Sequence, residues 1–513
     1  MEVRVFYAKE NNMSTIVLNG DNLGFGDVYD IAYNKFKVEI SKDAELRIVK
    51  SRELIFKLAD EGYPVYGLNR GVGWNKDKYV FSEFFQTYNE NLIRSHCVAL
   101  GPEATVPEVR AIIAVRLNTA LIGALGLSPE IIHCFRDFLN KDLIPVVPKR
   151  GSVGQGDIST LSHIGLAMLG EGDVIFRGTR MPAREGLEKA GMKKMALGPK
   201  DGLGILSSNA HSAALAALLV CEVDKLIDLS NLAYCLGMEG LNGKVESLDP
   251  RVNAMRKYEG QIRCAADCRK YLEGSHLNKP DKNRALQDAL SYRGGFAING
   301  AVLDALNYVK AVLRIQLNST DDNPCILYED AEIKVSTNFE ATTWVVALEM
   351  LGIALSHFSK NVCYRTMKLA DPFFTKLTRF LTPSEGEVIA FGTIQKTFTS
   401  LDTEIRMLAN PSSMDYFSVA GNIEDHANNS PLVVEKLNRI ADNLKYIIGI
   451  ELMHAAQAID LRKEKELGRV TRKAYTLIRD HVPFLEKDRC LTVDIRKMYD
   501  LIQSGALNNI VAE

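Results

Sequence analysis

Ser430 to Gly468 reads SPLVVEKLNRIADNLKYIIGIELMHAAQAIDLRKEKELG. Val433, Leu437, Ile440, Leu444, Ile447, Leu452, Ala455 and Ile459 recur largely in steps of three and four, the period of one buried helical stripe. Ser430 with Pro431 has the grammar of a helix start, and Gly468 that of a stop. Some 37 residues at about 1.5 Å each give a rod of roughly 55 Å. Helices of that length belong to bundles, so this stretch decides for a mainly α fold.

Working outward, similar amphipathic runs cover approximately 104–125, 211–240, 294–317, 340–368 and 386–409, and Ser128-Pro129-Glu130 repeats the start signal. Strand-capable pieces, Val3–Phe6, Thr15–Leu18 and Phe36–Glu39, are expected only in the first 60 or so residues. The expected architecture is a long-helix bundle with a small mixed N-terminal region. Apolar stripes this extensive also suggest packing between subunits.

The 513 residues are 46% hydrophobic and 25% charged, an ordinary globular composition. A net charge of -2, from 62 basic and 64 acidic residues, leaves no electrostatic footprint for nucleic acid or an anionic membrane surface. No apolar run is read as approaching the roughly 20 residues that span a bilayer. MEVRVFYAKENN lacks a basic segment followed by an apolar one, so no secretory signal is read. Nine scattered cysteines show no paired framework, and Cys264-x3-Cys268 lacks a second ligand pair. Reduced thiols, a cytoplasmic location and no metal are the expectation.

Four loops concentrate glycines and polar groups. In Tyr66-Gly-Leu-Asn-Arg-Gly-Val-Gly73, three glycines allow close backbone approach beside a tyrosine. A plain turn with a packed Tyr accounts for this segment equally well. Arg150-Gly-Ser-Val-Gly-Gln-Gly-Asp157 leads into an apolar helix but lacks the Walker lysine of a phosphate-binding loop. Gln287-Asp-Ala-Leu-Ser-Tyr-Arg293 offers a guanidinium for a carboxylate, or a surface ion pair. Gly421-Asn-Ile-Glu-Asp-His-Ala427 places Glu424 and Asp425 beside His426, as an acid–base cluster or a helix cap.

Taken together, these segments resemble the aromatic amino acid ammonia-lyase family, in particular its histidine ammonia-lyase branch. The likeness runs from about residue 15 to 465. It is carried by Val65-Tyr-Gly-Leu-Asn, Asn91-Leu-Ile-Arg-Ser-His96, Gly151-Ser-Val-Gly154, Leu161-Ser-His163, Gly170-Glu-Gly172, Gln287-Asp288 with Arg293, Thr320-Asp-Asp-Asn-Pro324, Asn338-Phe339 and Glu424-Asp-His426. The resemblance implies a fumarase/aspartase-like helix bundle and a homotetramer whose active sites draw on three subunits. It also implies an N-terminal lyase domain, 1–205, and a long-helix domain, 206–513, that forms the oligomer core.

Members of that family use a methylidene-imidazolone electrophile made from Ala-Ser-Gly after Gly-Ser-Val-Gly. Here Gly154-Gln155-Gly156-Asp157 follows instead, and Ser152 precedes Val153 rather than a glycine. The resemblance therefore implies an enzyme without this electrophile and without another cofactor. Ser207 stands where the family has an Asn supporting the electrophile; Asn209 is near, but its register argues against a substitute role. Leu290 replaces a Tyr beside the electrophile. Tyr66, Arg293 and Glu424 match the family's base, carboxylate clamp and substrate-side acid.

A trimethylammonium group leaves as a neutral amine and has no lone pair with which to attack an electrophile. The expected substrate is thus a small-molecule betaine of histidine type, released as trimethylamine plus an unsaturated acid. Tyr66 is expected to remove the β-proton, with Arg70 supplying a charge that lowers its pKa. Arg293, helped by Asn338, holds the carboxylate, while His96, Lys396 and Glu424 orient the ring. Lys396 stands where the family has an apolar residue; it is read as a buried cation facing a ring sulfur, or else as an exposed lysine. Two other readings stay open: a histidine ammonia-lyase-like enzyme acting on another histidine derivative, and a non-catalytic relative.

Overall fold

The structure, a computed structural model, describes residues 14–414, 416–464 and 466–512. The expected strand Val3–Phe6 lies outside the described residues. The fold is mainly α. Its frame is four long helices, Ala210–Leu241, Gly295–Leu317, Thr342–Leu369 and Ser430–Arg462. The last packs most extensively along the first. Gly240 permits this approach, since a β-carbon there would lie 2.9 Å from Cβ of Ala458. Arg365 clasps three helices: it donates to both carboxylate oxygens of Glu451, at 2.6 and 2.7 Å, and to the Ser230 hydroxyl at 3.2 Å. Arg365 and Glu451 are wholly buried.

The 430–462 helix differs from expectation at both ends. Asn429 (φ 50°) occupies the cap, and Ser430 is already helical, its hydroxyl directed to Ser212 at 3.0 Å. The helix ends at Arg462, with Lys463 at φ 58°, because no apolar residue follows Leu461 until Leu467. Its 33 residues make a rod of about 50 Å. Gly468 instead caps the following helix, Arg469–His481, and its amide donates to Glu239 at 2.7 Å. The expected run 386–409 is an α-helix only over Gln395–Leu408, since the amides of Ile389 and Ala390 are taken by the Asp488 carboxylate at 2.9 Å each.

Thr15–Leu18 and Lys37–Ile40 pair in parallel. Strands also occur well beyond residue 60. Leu100–Glu103 pairs with Pro148–Arg150, and Leu143–Pro145, Asp173–Phe176 and Thr179–Pro182 form a three-stranded antiparallel sheet. Cys325–Leu327 and Glu332–Lys334 form a hairpin. These three- and four-residue strands, several containing proline, are too short to show a period of two.

One hydrophobic core runs from Leu18 to Val511, crossing position 205. A satellite core of Leu54, Ile55, Val65, Leu68, Ile326 and Ile333 lies under the Tyr66 loop. Contrary to the reading of apolar runs, three described helices are long and apolar enough to cross a bilayer by length and composition. In the first, 94% of the apolar window is buried inside the chain, but in 295–317 and 342–369 only 39% and 56%. Tyr308, Ile315, Val346, Ile353 and Tyr364 are exposed on those two helices.

Candidate active site

Val65 and Leu68 are sunk into the satellite core and hold the Tyr66 turn from both sides. The Asn69 carboxamide closes it, accepting from the Val65 amide at 2.7 Å and donating to the Tyr63 carbonyl at 2.9 Å. Gly67 (φ +75°) has no room for a side chain: a β-carbon would lie 2.5 Å from Leu203. Behind the turn, Lys200 and Asp322 form a wholly buried ion pair at 3.2 Å. The half-buried Tyr66 hydroxyl accepts the Gly73 N–H at 2.7 Å.

Burial pushes the Tyr66 phenol above its usual pKa; the Gly73 amide opposes this, while Asp322, Glu424 and Tyr88 reinforce it. Arg70 does not lower it. Its guanidinium lies over the Tyr79 ring, 3.7 Å from the centroid, and donates to the Asn69 carbonyl at 3.0 Å. A guanidinium finds a better partner in an adjacent aromatic face than in a neutral phenol.

Glu424 joins this group from a second loop. Its Oε1 lies 3.6 Å from where a β-carbon on Gly73 would stand. The two loops meet where the Trp74 ring lies against Gly421 (φ +63°). Two residues past Glu424, His426 pairs through Nε2 with Glu340 at 3.3 Å.

The 150–157 loop completes the cluster. Its root, Asp157, accepts from Ser152 (2.8 Å) and from the amide and hydroxyl of Ser212 (2.8 and 2.9 Å). Burial pushes Asp157 up to about 6. At the tip, Asn209 accepts the Gly156 amide at 2.9 Å and donates to the Phe339 carbonyl at 2.7 Å. That pair of hydrogen bonds brings the neighbouring residues together: Gln155 Nε2 donates to Glu340 Oε2 at 3.2 Å. Asn209 therefore does reach this loop, against its expected register, because the chain turns at Ser207 before the 210–241 helix. Ser207 is half-buried at the end of the helix Asp201–Leu206.

These residues do not fit a methylidene-imidazolone. Within the 150–157 loop Gly154 is followed directly by Gln155 and Gly156, so the loop has no Ala-Ser-Gly to dehydrate and cyclise. The loop's one serine has its hydroxyl bound to Asp157.

The other predicted residues fall into two places. His96 ends the helix Phe85–His96 with Nδ1 held by the Leu92 carbonyl at 2.7 Å, which makes Nε2 the acceptor. Its own carbonyl accepts from Ser162 at 2.9 Å, in the helix that follows the 150–157 loop. Asn338 is half-buried and hydrogen-bonded to the Cys325 thiol. Arg293 and Lys396 lie elsewhere. Arg293 donates to Gln287, and the adjacent Ser291 carbonyl accepts from Asn361 at 3.3 Å. Lys396 is exposed in the single chain rather than buried, two residues before Phe398, whose carbonyl accepts from Cys363 at 3.8 Å. Asn361 and Cys363 are some 20 residues, roughly 30 Å, along the 342–369 helix from the end that carries Glu340. In one chain these two groups of residues thus lie toward opposite ends of the 342–369 helix.

The profile of the aromatic amino acid lyase family matches residues 23–480. The chain belongs to this family. As an aromatic amino acid lyase it is of the carbon–nitrogen lyase class. It is 33% identical to the histidine ammonia-lyase of Caldanaerobacter subterraneus subsp. tengcongensis, over 98% of this chain and 99% of the relative. Among solved structures it is similar to the ergothionase of Treponema denticola in complex with desmethyl-ergothioneine sulfonic acid. That identity is 54% at a TM-score of 0.95, covering 97% of this chain and 100% of the other. The histidine ammonia-lyase of Treponema denticola is only 33% identical, over 95% of this chain and 97% of the relative.

Sequence reading did not single out Glu340 or Lys200, and gave Asp322 no role. Thr320-Asp-Asp-Asn-Pro324 carried a signal: of its adjacent acids, Asp321 pairs with Arg116 at 3.1 Å and Asp322 with Lys200.

Proposed function

We propose that this lyase eliminates trimethylamine from ergothioneine, giving thiourocanate, by removal of the β-proton and without a protein-derived electrophile. The observation that carries this reading is the pairing of an intact Tyr66–Gly73–Glu424 group with a 150–157 loop that holds Gln155 against Glu340. The greater identity to the Treponema denticola ergothionase than to the histidine ammonia-lyase of the same organism supports it.

Tyr66 takes the β-proton. The C–H electron pair becomes the Cα=Cβ double bond, and the Cα–N pair departs with neutral trimethylamine. Arg293, with Asn338, holds the carboxylate, and His96, Lys396 and Glu424 orient the imidazole-2-thione ring. Lys396 stabilises the charge that reaches sulfur as the proton leaves. The placing of Arg293 and Lys396 beside Asn361 and Cys363, about 30 Å along the 342–369 helix from the end that carries Glu340, supports a homotetramer in which different subunits supply the two half-sites. The exposed apolar residues of the 295–317 and 342–369 helices support the same assembly.

The named relatives favour a second reading, ammonia release from histidine or another histidine derivative. The discriminating experiment incubates the protein with ergothioneine, histidine and histidine betaine and follows trimethylamine, ammonia and product absorbance. Trimethylamine and thiourocanate in equal amounts from ergothioneine, with no ammonia from histidine, are expected. Ammonia from histidine would establish the second reading, and no product from any of the three would leave a non-catalytic protein.

A further inference from the structure

We propose that Glu340 is the counter-ion of the substrate's quaternary ammonium group, held in place by Gln155 from the loop that elsewhere in the family builds the electrophile. The inference rests on the betaine reading above and assigns it a specificity-determining residue.

The geometry around Glu340 is that of a carboxylate fixed by donors on both oxygens. Oε1 is occupied locally, by the Thr342 amide at 2.8 Å and the Thr342 hydroxyl at 2.5 Å. Oε2 faces Gln155 Nε2 at 3.2 Å and His426 Nε2 at 3.3 Å. The carboxylate is about one-third exposed, so it is neither sealed in the core nor free in solvent. Gln155 is uncharged and leaves the carboxylate's charge in place. Gln155 Oε1 is buried without a hydrogen-bond partner. The Asn209 buckle holds Gly156 and Phe339 together, and so fixes both side chains on backbone rather than leaving them to rotate.

This arrangement suits a trimethylammonium cation in particular. Such a group has no N–H, so hydrogen-bond acceptors arranged to receive donors gain nothing from it. What it needs is a localised negative charge at the position where its nitrogen sits, with water partly excluded. The place in the chain is also right. Gln155 follows Gly154, where an electrophile would otherwise meet the substrate's nitrogen, and a carboxylate now stands against it. An attractive anion replaces an electron sink, in keeping with a nitrogen that arrives already quaternary.

The sign of the kinetic effect follows. The cation is fully charged in the bound substrate and loses its charge as neutral trimethylamine departs. Glu340 therefore strengthens binding of the substrate more than that of the transition state. Its loss raises KM and leaves kcat unchanged or higher, unlike the loss of a group that acts in the chemical step.

The test uses the tetrameric or native assembly as purified, in a Tyr66→Phe background so that binding is read without turnover. Ergothioneine is compared with the same acid bearing hydrogen in place of the trimethylammonium group, each titrated calorimetrically. Glu340→Gln is expected to weaken ergothioneine binding by about 10- to 100-fold while the des-ammonium acid changes by less than about twofold. Glu340→Asp, which keeps the charge, is expected to recover part of the loss. With Tyr66 intact, Glu340→Gln is expected to raise KM without lowering kcat. Equal weakening of both ligands would show a structural role and overturn the proposal, as would no change in either. Wild-type protein that binds ergothioneine without turning it over would sink the reaction but not this assignment; failure to bind it at all would sink both.

Discussion

The Trp74 ring lies against Gly421 with no space for a β-carbon between them. Trp74 follows Gly73, whose amide holds the Tyr66 hydroxyl, and Gly421 precedes Glu424 by three residues. The contact therefore sets the base and the neighbouring acid in one register.

Gly421→Ala introduces both a clash and a left-handed alanine, the latter alone costing about 1 kcal/mol. Turnover is expected to fall at least about tenfold with little change in melting temperature. Adding Trp74→Ala removes the clash, so the double variant is expected to be no slower than Trp74→Ala alone. Losses that simply multiply in the double variant would show that the two residues act separately.

Tyr66 must be ionised to accept a proton, and burial raises its pKa above the usual value of about 10. The ionised fraction then grows tenfold per pH unit through neutrality. The expected profile of log kcat/KM rises with pH at a slope near one and shows no plateau below about pH 10. A plateau below pH 8 would mean that a cation absent from this chain lowers the phenol. Tyr66→Phe is expected to lose about 10²–10⁴-fold in turnover while retaining substrate binding.

Lys396→Met separates sulfur contact from general positioning. A charge-assisted contact is worth about 1.5–3 kcal/mol, so about 10- to 100-fold in rate is expected to be lost with the thione. With histidine betaine, which has no sulfur, the loss is expected to be only a few-fold. Equal losses would place Lys396 away from the ring sulfur.

Arg365→Met leaves Glu451 charged and wholly buried without its partner. Such breakage costs about 3–5 kcal/mol. Denaturant unfolding at fixed protein concentration is expected to show that loss, and a much smaller one in Arg365→Met/Glu451→Gln. Equal stability of the two variants would show that an unpaired Glu451 carries no special cost.

The long helices were legible because their apolar stripes repeat many times, and a repeated signal survives local noise. The ends were not: Lys463 stops the last helix by adopting φ 58°, a choice driven by where burial ceases rather than by a glycine. The short strands near Pro102, Pro145 and Pro182 carry too few residues for any period to emerge. Tyr66, Arg293 and Glu424 were readable as motif positions, but their partners were not. Glu340 acquires its meaning only from Asn209, 131 positions away, which draws Phe339 and Gly156 together. The environment of Tyr66 was misread for the same reason, since the nearest cation in sequence, Arg70, turns to Tyr79.

The most direct measurement is the mass of the peptide spanning residues 150–157, taken from enzyme sampled while it releases trimethylamine from ergothioneine. An unmodified Arg-Gly-Ser-Val-Gly-Gln-Gly-Asp mass is expected. A mass short by two water molecules, the mark of a dehydrated and cyclised backbone, would contradict elimination without a protein-derived electrophile.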